Sequence, residues 1–337
     1  MTVFTAFRTF LPMIDFTILA LDGLYTTSFA ATVDMFTLAA ELAPRFNVAP
    51  PRWKVCSVIG GEIRTSAGFS VKAEELNPSA DDKSIWVVPG LGLGRPNELK
   101  SRLEKTDAIQ VIDALRKHTE FGGTIAASCS AVFLLQSAGL LRNRRATTSW
   151  WLAPELKRLE PSCTVEESRM VCVDGTVITG GAGMAQTKLI LHLLRGLCGG
   201  DLTDAIGRIL LVDASQAQAQ FIAPEVFLSG DDLVSRLVKR IESSLPDLPS
   251  VGELAKEFCM SERTLARHIH KSTGKSTLVL MQGVKQRRAR VLLESSRMSI
   301  EQIAAAVGYQ DATALRRLMK RVSGATPSSF RQAVMCA

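Results

Sequence analysis

Hydrophobic residues in the first two thirds of the chain alternate between short apolar runs and longer amphipathic segments. Apolar runs bounded by glycine, proline or aspartate predict buried strands at residues 16–21, 53–59, 84–88 and 124–127. Shorter runs around turn residues predict strand pairs at residues 63–71 and 169–179. Apolar positions at helical spacing predict helices at residues 26–42, 97–118, 130–138, 184–197 and 202–211. Because strands alternate with helices, we expect residues 12–212 to form one doubly wound α/β domain with a mostly parallel sheet.

The pattern changes after residue 212. Residues 213–230 are largely polar and low in bulk, which is typical of a linker. An amphipathic helix then opens the C-terminal domain, residues 231–337. Two helix-turn-helix units are predicted within it, at residues 250–272 and 299–322. We therefore expect an all-α tandem helix-turn-helix domain behind the α/β domain.

The two helix-turn-helix units are near copies of one another. Ser250 and Ser299 each stand three residues before a glutamate or glutamine, the spacing of a capping box at a helix start. A shift of fifty positions superimposes Arg267 on Arg317, together with apolar and glycine neighbours. Two copies indicate a duplicated module, because a solenoid needs three or more repeats.

Charge separates the two predicted domains. Residues 246–337 hold 15 lysine and arginine residues against 7 acidic ones, whereas the whole chain has a net charge of only +7. The entire basic excess therefore lies in the last quarter, as expected for a partner with a phosphate backbone. A solvated basic face with no partner remains the alternative for the charge count alone.

Composition excludes several other classes of protein. No run of eighteen apolar residues suggests a membrane span, and Asp15 interrupts the apolar start, after which no signal-peptide cleavage site follows. The 7 cysteines include no CxxC pair and no histidine at metal spacing. We therefore predict a cytoplasmic protein without disulfides, metal or cofactor.

The candidate chemistry of the α/β domain lies at residues 126–132, where a strand turns directly into a helix. Cys129 stands at this elbow among small neighbours, and free helix N–H groups are expected to lower the pKa of its thiol. The loop at residues 89–92 ends a neighbouring strand and is expected to offer backbone N–H groups to an anion.

These residues resemble a known family. The run from Cys129 through residues 138–141, 145–148 and 150–155 resembles the PfpI-like (class I glutamine amidotransferase-like) domain, which is flavodoxin-like. More closely, it resembles the version fused ahead of an AraC/XylS-type DNA-binding domain. Residues 260–267, 308–309 and 324–331 are similar to that second part, so that the resemblance spans residues 15–331.

Departures from the family pattern bear on catalysis. Enzymatic relatives use a cysteine, a histidine and usually a glutamate, because a base must ionise the thiol. This chain has Ser149 and Ser28 at the corresponding positions, and Ala131 where a glycine is common. Cys129 is then a core thiol, a hydrolytic nucleophile or part of a pocket that binds a metabolite. We favour the pocket, whose candidate residues are Ser28, Gly90, Leu91, Gly92, Cys129, Ser130, Ser149 and Trp150.

The DNA-binding surface is predicted from the outward faces of two recognition helices, residues 262–271 and 311–322. A recognition helix reads base edges in the major groove. The residues expected to contact DNA are Arg263, Ala266, Arg267, Ala312, Thr313, Arg316 and Arg317. For each arginine a base contact, a phosphate contact and a solvated charge stay open. A helix at residues 278–293 is expected to hold the two units about one DNA turn apart.

The leading hypothesis is a sequence-specific transcription regulator, interpreted as an activator that binds promoter DNA and RNA polymerase. The resemblance implies an amino-acid-like or amine metabolite as effector and a homodimer formed by the α/β domain. One alternative is a Cys129-dependent amidase or hydrolase with an accessory DNA-binding domain, and another is a DNA-compacting protein. Hydrolysis that depends on Cys129 would favour the enzyme, and DNA binding without sequence preference would favour compaction.

Overall fold

The computed structural model describes residues 15–92, 96–212, 232–273, 276–296 and 298–323. These residues divide into two compact units, one within residues 15–212 and the other within residues 232–323. The linker itself, residues 213–230, lies outside the described residues.

The first unit is built on an eight-stranded sheet. Its strands are β1 (Phe16–Leu19), β2 (Trp53–Ser57), β3 (Gly61–Arg64), β4 (Ser70–Glu75), β5 (Ile85–Val88), β6 (Ile125–Ser128), β9 (Val171–Asp174) and β10 (Val177–Gly180). Their order across the sheet is β3-β4-β2-β1-β5-β6-β10-β9. The central strands pair in parallel, whereas β3 with β4 and β9 with β10 pair antiparallel at the two edges. The mostly parallel sheet is therefore confirmed.

Helices cover both faces of this sheet, as a doubly wound fold requires. They are α1 (Thr26–Leu42), α2 (Pro96–Leu103), α3 (Thr106–Glu120), α4 (Val132–Ser137), α5 (Ala153–Leu159), α6 (Ala185–Cys198) and α7 (Gly200–Ile209). Trp86 and Val88 of β5 pack in one core with α3, α4 and α5. Val87 between them packs in a second core with α1, α6 and α7. Alternate residues of one strand thus reach opposite cores, because successive side chains of a strand point to opposite faces.

Several elements differ from the sequence prediction. The single helix expected at residues 97–118 is two helices, and Arg102 explains the break. Its guanidinium, which is 6% exposed, donates to the Asp22 carbonyl and to the Asp107 carboxylate at the start of α3. Helix α5 and the two-residue parallel pair β7 (Arg145–Ala146) and β8 (Thr164–Val165) were not predicted, because they are too short to show periodicity.

The second unit is helical throughout its described residues. Its helices are α8 (Asp232–Ser243), α9 (Val251–Glu257), α10 (Glu262–Thr273), α11 (Thr277–Ser295), α12 (Ile300–Ala306) and α13 (Ala312–Ser323). One core joins α8, α9 and α10 to the first half of α11. A second core joins the last part of α11 to α12 and α13. Each helix-turn-helix unit therefore has its own core, and α11 belongs to both.

Candidate functional site

The elbow after β6 holds Cys129 in a strained backbone conformation. Its φ of +55° is in the left-handed region, where a Cβ is crowded. The Cys129 N–H donates to the Gly181 carbonyl over 2.9 Å, which ties the elbow to the end of β10. A short 3-10 turn, Cys129–Ala131, then leads into α4. The strand-to-helix elbow is thus present, although its first turn is not yet α-helical.

The loop before α5 returns to this elbow and encloses the thiol. Ser149 Oγ donates a hydrogen bond to Cys129 Sγ at 2.9 Å, and Thr148 Oγ1 donates to the Cys129 carbonyl at 2.7 Å. Both hydroxyl residues are fully buried, and Cys129 is 6% exposed. Two consecutive side chains therefore fix both ends of the cysteine.

Burial raises the pKa of the Cys129 thiol, which corrects the expectation of a lowered one. Removal from water is the largest effect, and it outweighs the hydrogen bonds from Ser149 and Ser130 that favour the thiolate. The elbow geometry is as predicted, but the degree of burial could not be read from the local sequence. At neutral pH this cysteine is an uncharged thiol.

The loop at residues 89–92 also differs from its predicted role. Leu91 N–H donates to Ser130 Oγ at 3.0 Å, and the same hydroxyl donates to the Leu91 carbonyl at 2.7 Å. Gly92 N–H donates to the Gly23 carbonyl at 2.8 Å. Because these donors are already used inside the protein, they are not available to an anion. Gly90 has a packing role instead, since a Cβ there would lie 3.0 Å from the Cys129 Cβ.

Ser28 and Trp150 are the remaining residues predicted at the pocket. Ser28 lies in α1, is 1% exposed, and places its Oγ 3.4 Å from the Gly183 carbonyl. Trp150 is half-buried and meets Trp151 edge to face, with ring centroids 5.3 Å apart. The structure thus gathers Cys129, Ser130, Ser149, Gly90 and Leu91 at the elbow. Gly92 is held by Gly23, and Gly92 and Trp150 are the members of the predicted set that are substantially accessible to solvent.

The two histidines of this unit lie elsewhere. His118 of α3 is buried and stacks on Trp86, with ring centroids 4.1 Å apart. His192 of α6 lines a cavity beside the edge strand β9. The pKa of each imidazole is lowered, in both cases chiefly by burial. Neither ring is hydrogen-bonded to the Cys129 thiol, whose side-chain partner is Ser149.

The cavity beside β9 was not predicted. It has a volume of about 830 Å³ and lies between α6, α7 and β9. Its basic lining residues are Lys188, His192, Arg195 and Arg208. Arg195 pairs with Asp204 across the two helices. The three elements lie close together in the chain, but their lining side chains meet only in the folded unit, so the sequence pattern did not reveal the cavity. No cluster of metal-ligating side chains occurs among the residues that the structure describes.

Both helix-turn-helix units start with the predicted capping boxes. Ser250 accepts from the Glu253 N–H, and Ser299 accepts from the Gln302 N–H, while each partner side chain bonds back to the serine N–H. These contacts satisfy donors that a helix start leaves free. The first helices, α9 and α12, therefore begin at equivalent places.

The recognition helices α10 and α13 bury one apolar stripe and expose the opposite face. Leu265 and Ile269 are fully buried in α10, as are Leu315 and Met319 in α13. The exposed residues of the predicted DNA surface are Arg263, Ala266, Arg267, Thr313, Arg316 and Arg317.

Ala312 is the exception, because it is only 7% exposed and therefore is not part of the accessible surface of α13. Its assignment to that surface was wrong for a simple geometric reason. Ala312, Leu315 and Met319 follow at i, i+3 and i+7, so they share one face of the helix. The spacing was present in the sequence and overlooked.

The turn of the second unit is one residue longer than that of the first. The first helices, α9 and α12, are 49 positions apart, whereas the recognition helices, α10 and α13, are 50 apart. Cys259 and Gly308 occupy the same left-handed turn position, with φ of +56° and +76°. The extra residue therefore falls between Gly308 and the start of α13.

A strained elbow cysteine on a mostly parallel sheet, followed by paired helix-turn-helix units, defines a two-part class of protein. The chain belongs to the DJ-1/PfpI family, whose model matches residues 24–195. A helix-turn-helix domain model matches residues 254–333. The protein is accordingly a DNA-binding transcription regulator of the AraC family with a PfpI-like domain.

Two known regulators align with this chain along nearly their whole length. The chain is 27% identical to the HTH-type transcriptional regulator GlxA of Rhizobium meliloti, over 90% of this chain and 91% of that protein. It is 26% identical to the HTH-type transcriptional regulator CdhR of Pseudomonas aeruginosa, over 94% of this chain and 91% of that protein. The crystal structure of an AraC family transcriptional regulator from Pseudomonas putida shares the fold. It has a TM-score of 0.50 and 18% identity, over 58% of this chain and 99% of that chain. Within the described residues, no helix is long and apolar enough to cross a bilayer.

Proposed function

We propose that the protein is a cytoplasmic, sequence-specific activator of transcription whose α/β unit binds a small metabolite and forms a homodimer. In this proposal the α/β unit performs no catalysis, and RNA polymerase is the protein partner at the promoter. The main observation in support is that both recognition helices expose an arginine at the equivalent position, Arg267 and Arg317. These helices follow a PfpI-like unit in the sequence.

The exposed faces of α10 and α13 support contact with the DNA major groove. Arg263 and Arg267 are exposed on α10, and Arg316 and Arg317 are exposed on α13. Arg316 Nη2 lies 3.6 Å from Glu301 Oε1, and both side chains are at least half exposed. Such a surface ion pair contributes little stability, so a phosphate or guanine can replace the carboxylate at low cost.

The first test measures binding of the full-length protein to sites that it selects from random-sequence duplex DNA. Arg267→Ala combined with Arg317→Ala is expected to weaken binding ~30-fold or more, since each lost contact costs about 1–3 kcal/mol. Arg158→Ala is the matched control, because Arg158 is an exposed arginine of the α/β unit paired with Glu155. Wild-type affinity in the double variant would refute the proposed DNA surface.

The same measurement distinguishes base contacts from phosphate contacts. Loss of a phosphate contact lowers the dependence of binding on salt by about 0.9 in logarithmic slope and leaves sequence preference intact. Loss of a base contact instead relaxes the selected sequence at one position. Each arginine variant is therefore measured at several salt concentrations and on mismatched duplexes.

The proposed effector site is the elbow, where Trp150 is accessible to solvent and Cys129 is nearly enclosed. The thiol is uncharged and nearly enclosed, which suits contact with a neutral or apolar part of a metabolite. By the family resemblance the effector is an amino-acid-like or amine compound. Serine at positions 28 and 149 is consistent with a pocket that binds without hydrolysing.

A thermal-shift screen of small metabolites on the full-length protein tests this assignment. A ligand at one hundred times its Kd stabilises the folded state by about 2.7 kcal/mol. Trp150→Ala is expected to abolish the shift, and Arg208→Ala, in the cavity beside β9, is expected to leave it intact. The reverse result would mean that the metabolite binds in the cavity instead.

The hydrolase remains a second candidate because Cys129 has the left-handed backbone of an elbow nucleophile. Against it, burial raises the thiol pKa, and the hydrogen-bond partner of Cys129 Sγ is a serine, which is a poor base. Hydrolysis of model amides or esters by the wild type, lost in Cys129→Ala, would establish the enzyme.

A further inference from the structure

Three segments of the DNA-binding unit meet at Gly308, in the turn before the second recognition helix. Lys285, midway along α11, donates from Nζ to the Gly308 carbonyl over 2.8 Å. The same ammonium group lies 4.8 Å from the centroid of the Tyr309 ring. Lys285 is half-buried, although lysine usually keeps its charge in water. The desolvated ammonium therefore makes two interactions with one turn.

The third segment is the connection that follows α8. A Cβ at Gly308 would overlap the carbonyl oxygen of Pro246, so the turn lies directly against this connection. The turn of the first helix-turn-helix unit is not packed in this way, because its equivalent residue, Cys259, carries a side chain and is exposed. Close approach to Pro246 is therefore peculiar to the second unit.

The connection after α8 is in turn fixed to the first helix-turn-helix unit. Arg240 of α8 forms a bidentate pair with Glu257 of α9, with hydrogen bonds of 2.7 and 2.8 Å. The apolar face of α8 is fully buried in the core of the first unit. Glu242 also lies 3.6 Å from Arg287 of α11. The first helix-turn-helix unit therefore fixes the position of Pro246. The turn at Gly308 packs against this proline.

We propose that Lys285 is a positioning residue that fixes the second recognition helix relative to the first and thereby sets the spacing of the two DNA half-sites. Helix α13 begins four positions after Gly308, so a displaced turn displaces the whole helix. The 19 residues of α11 span roughly 28 Å, close to the ~34 Å of one DNA turn. Small movements of this turn therefore decide whether both helices enter successive grooves.

The test compares duplexes in which the two selected half-sites are moved apart by one or two base pairs. One inserted base pair shifts the second half-site by ~3.4 Å and rotates it by about 34°. The wild type is expected to lose about tenfold or more in affinity on such DNA, similar to a mismatched base pair. Lys285→Met keeps the length of the side chain but removes the donor, and is expected to lose about threefold or less.

Two further variants control this experiment. Lys256→Met removes one positive charge from exposed Lys256 of α9 and is expected to keep the wild-type spacing penalty. Lys285→Arg retains a charged donor and is expected to restore most of that penalty. Equal spacing penalties in wild type and Lys285→Met would overturn the proposal, as would selected sites that contain only one half-site.

Unfolding of the variant is distinguished by a second readout. Lys285→Met is expected to bind an isolated first half-site as the wild type does, because the core of α9 and α10 does not include Lys285. Loss of that binding would assign Lys285 to the fold rather than to positioning. Gly308→Ala disturbs the same turn from the other side and is expected to weaken the spacing preference independently.

Discussion

Ser149 donates a hydrogen bond to the Cys129 thiol at 2.9 Å, at a position where a catalytic cysteine would need a base. This hydrogen bond favours the thiolate, although burial dominates and keeps the pKa of Cys129 above its ordinary value. Ser149 thus lies where the base that activates a nucleophile would lie, but it cannot act as that base. A buried hydroxyl orients the thiol but does not deprotonate it.

Ser149→Ala is expected to raise the pKa of Cys129 further, because it removes a donor that stabilises the thiolate. The pH midpoint of alkylation by iodoacetamide, followed by peptide mass spectrometry, measures this shift separately from any change in access. Cys259 is exposed and lies in the other unit, so its alkylation serves as an internal control. A lower midpoint for Cys129 in the variant would contradict the described hydrogen bond.

Acidification is expected to destabilise the α/β unit through His118. Burial lowers the pKa of this imidazole in the folded protein, whereas in the unfolded chain it titrates near its ordinary value of about 6.5. Below that pH the unfolded state binds more protons, so the free energy of unfolding falls as pH decreases towards the folded-state pKa.

His118→Phe retains a ring against Trp86 and removes the titrating group. Its unfolding, followed by tryptophan fluorescence, is expected to depend less on pH between about 6.5 and 5. All 4 tryptophans precede residue 212, so this signal reports the α/β unit. His192, whose pKa is also lowered, is compared through His192→Asn, and a flattened profile in that variant but not in His118→Phe would assign the effect to His192.

Two glycine-to-alanine changes are expected to act in opposite directions. A Cβ at Gly123 would overlap the ring of His118, which is stacked and cannot move away, so Gly123→Ala should cost about 1–3 kcal/mol of stability. Gly196 lies inside α6 with open space around it, so Gly196→Ala should stabilise by about 0.5–1 kcal/mol. Denaturant unfolding of both variants checks the contrast, and equal effects would refute the packing at Gly123.

Cys259 is expected to limit the stability of the first helix-turn-helix unit. Its φ of +56° is costly for a residue with a Cβ, so Cys259→Gly is expected to stabilise this unit by up to about 1 kcal/mol. Cys259→Asn should act in the same direction, because asparagine tolerates this conformation, whereas Cys259→Val should destabilise. Thermal unfolding monitored by far-ultraviolet circular dichroism measures the order of the three variants.

Features with a local sequence signal could be predicted, whereas features that depend on contacts between distant segments could not. Helix α1 was predicted with its bounds, Thr26 and Leu42, because its apolar spacing and the following proline are local signals. The burial of Ala312 could also be predicted from the local sequence, since its spacing from Leu315 places both residues on one face of the helix. The direction of the pKa shift of Cys129 could not be predicted from the local sequence, because its burial depends on Ser149 and other residues that only the fold brings near. The contact between Gly308 and Pro246 is equally non-local, as it joins segments about sixty residues apart in the chain.

The extra residue in the second turn makes the two reading units unequal. Helices α10 and α13 start at different distances from otherwise equivalent first helices, so one unit cannot stand in for the other. When both helix-turn-helix units bind one DNA duplex, the protein therefore has a fixed orientation along that DNA. Reversing the site in a promoter turns the protein around, and whatever it presents to the transcription machinery then points the other way.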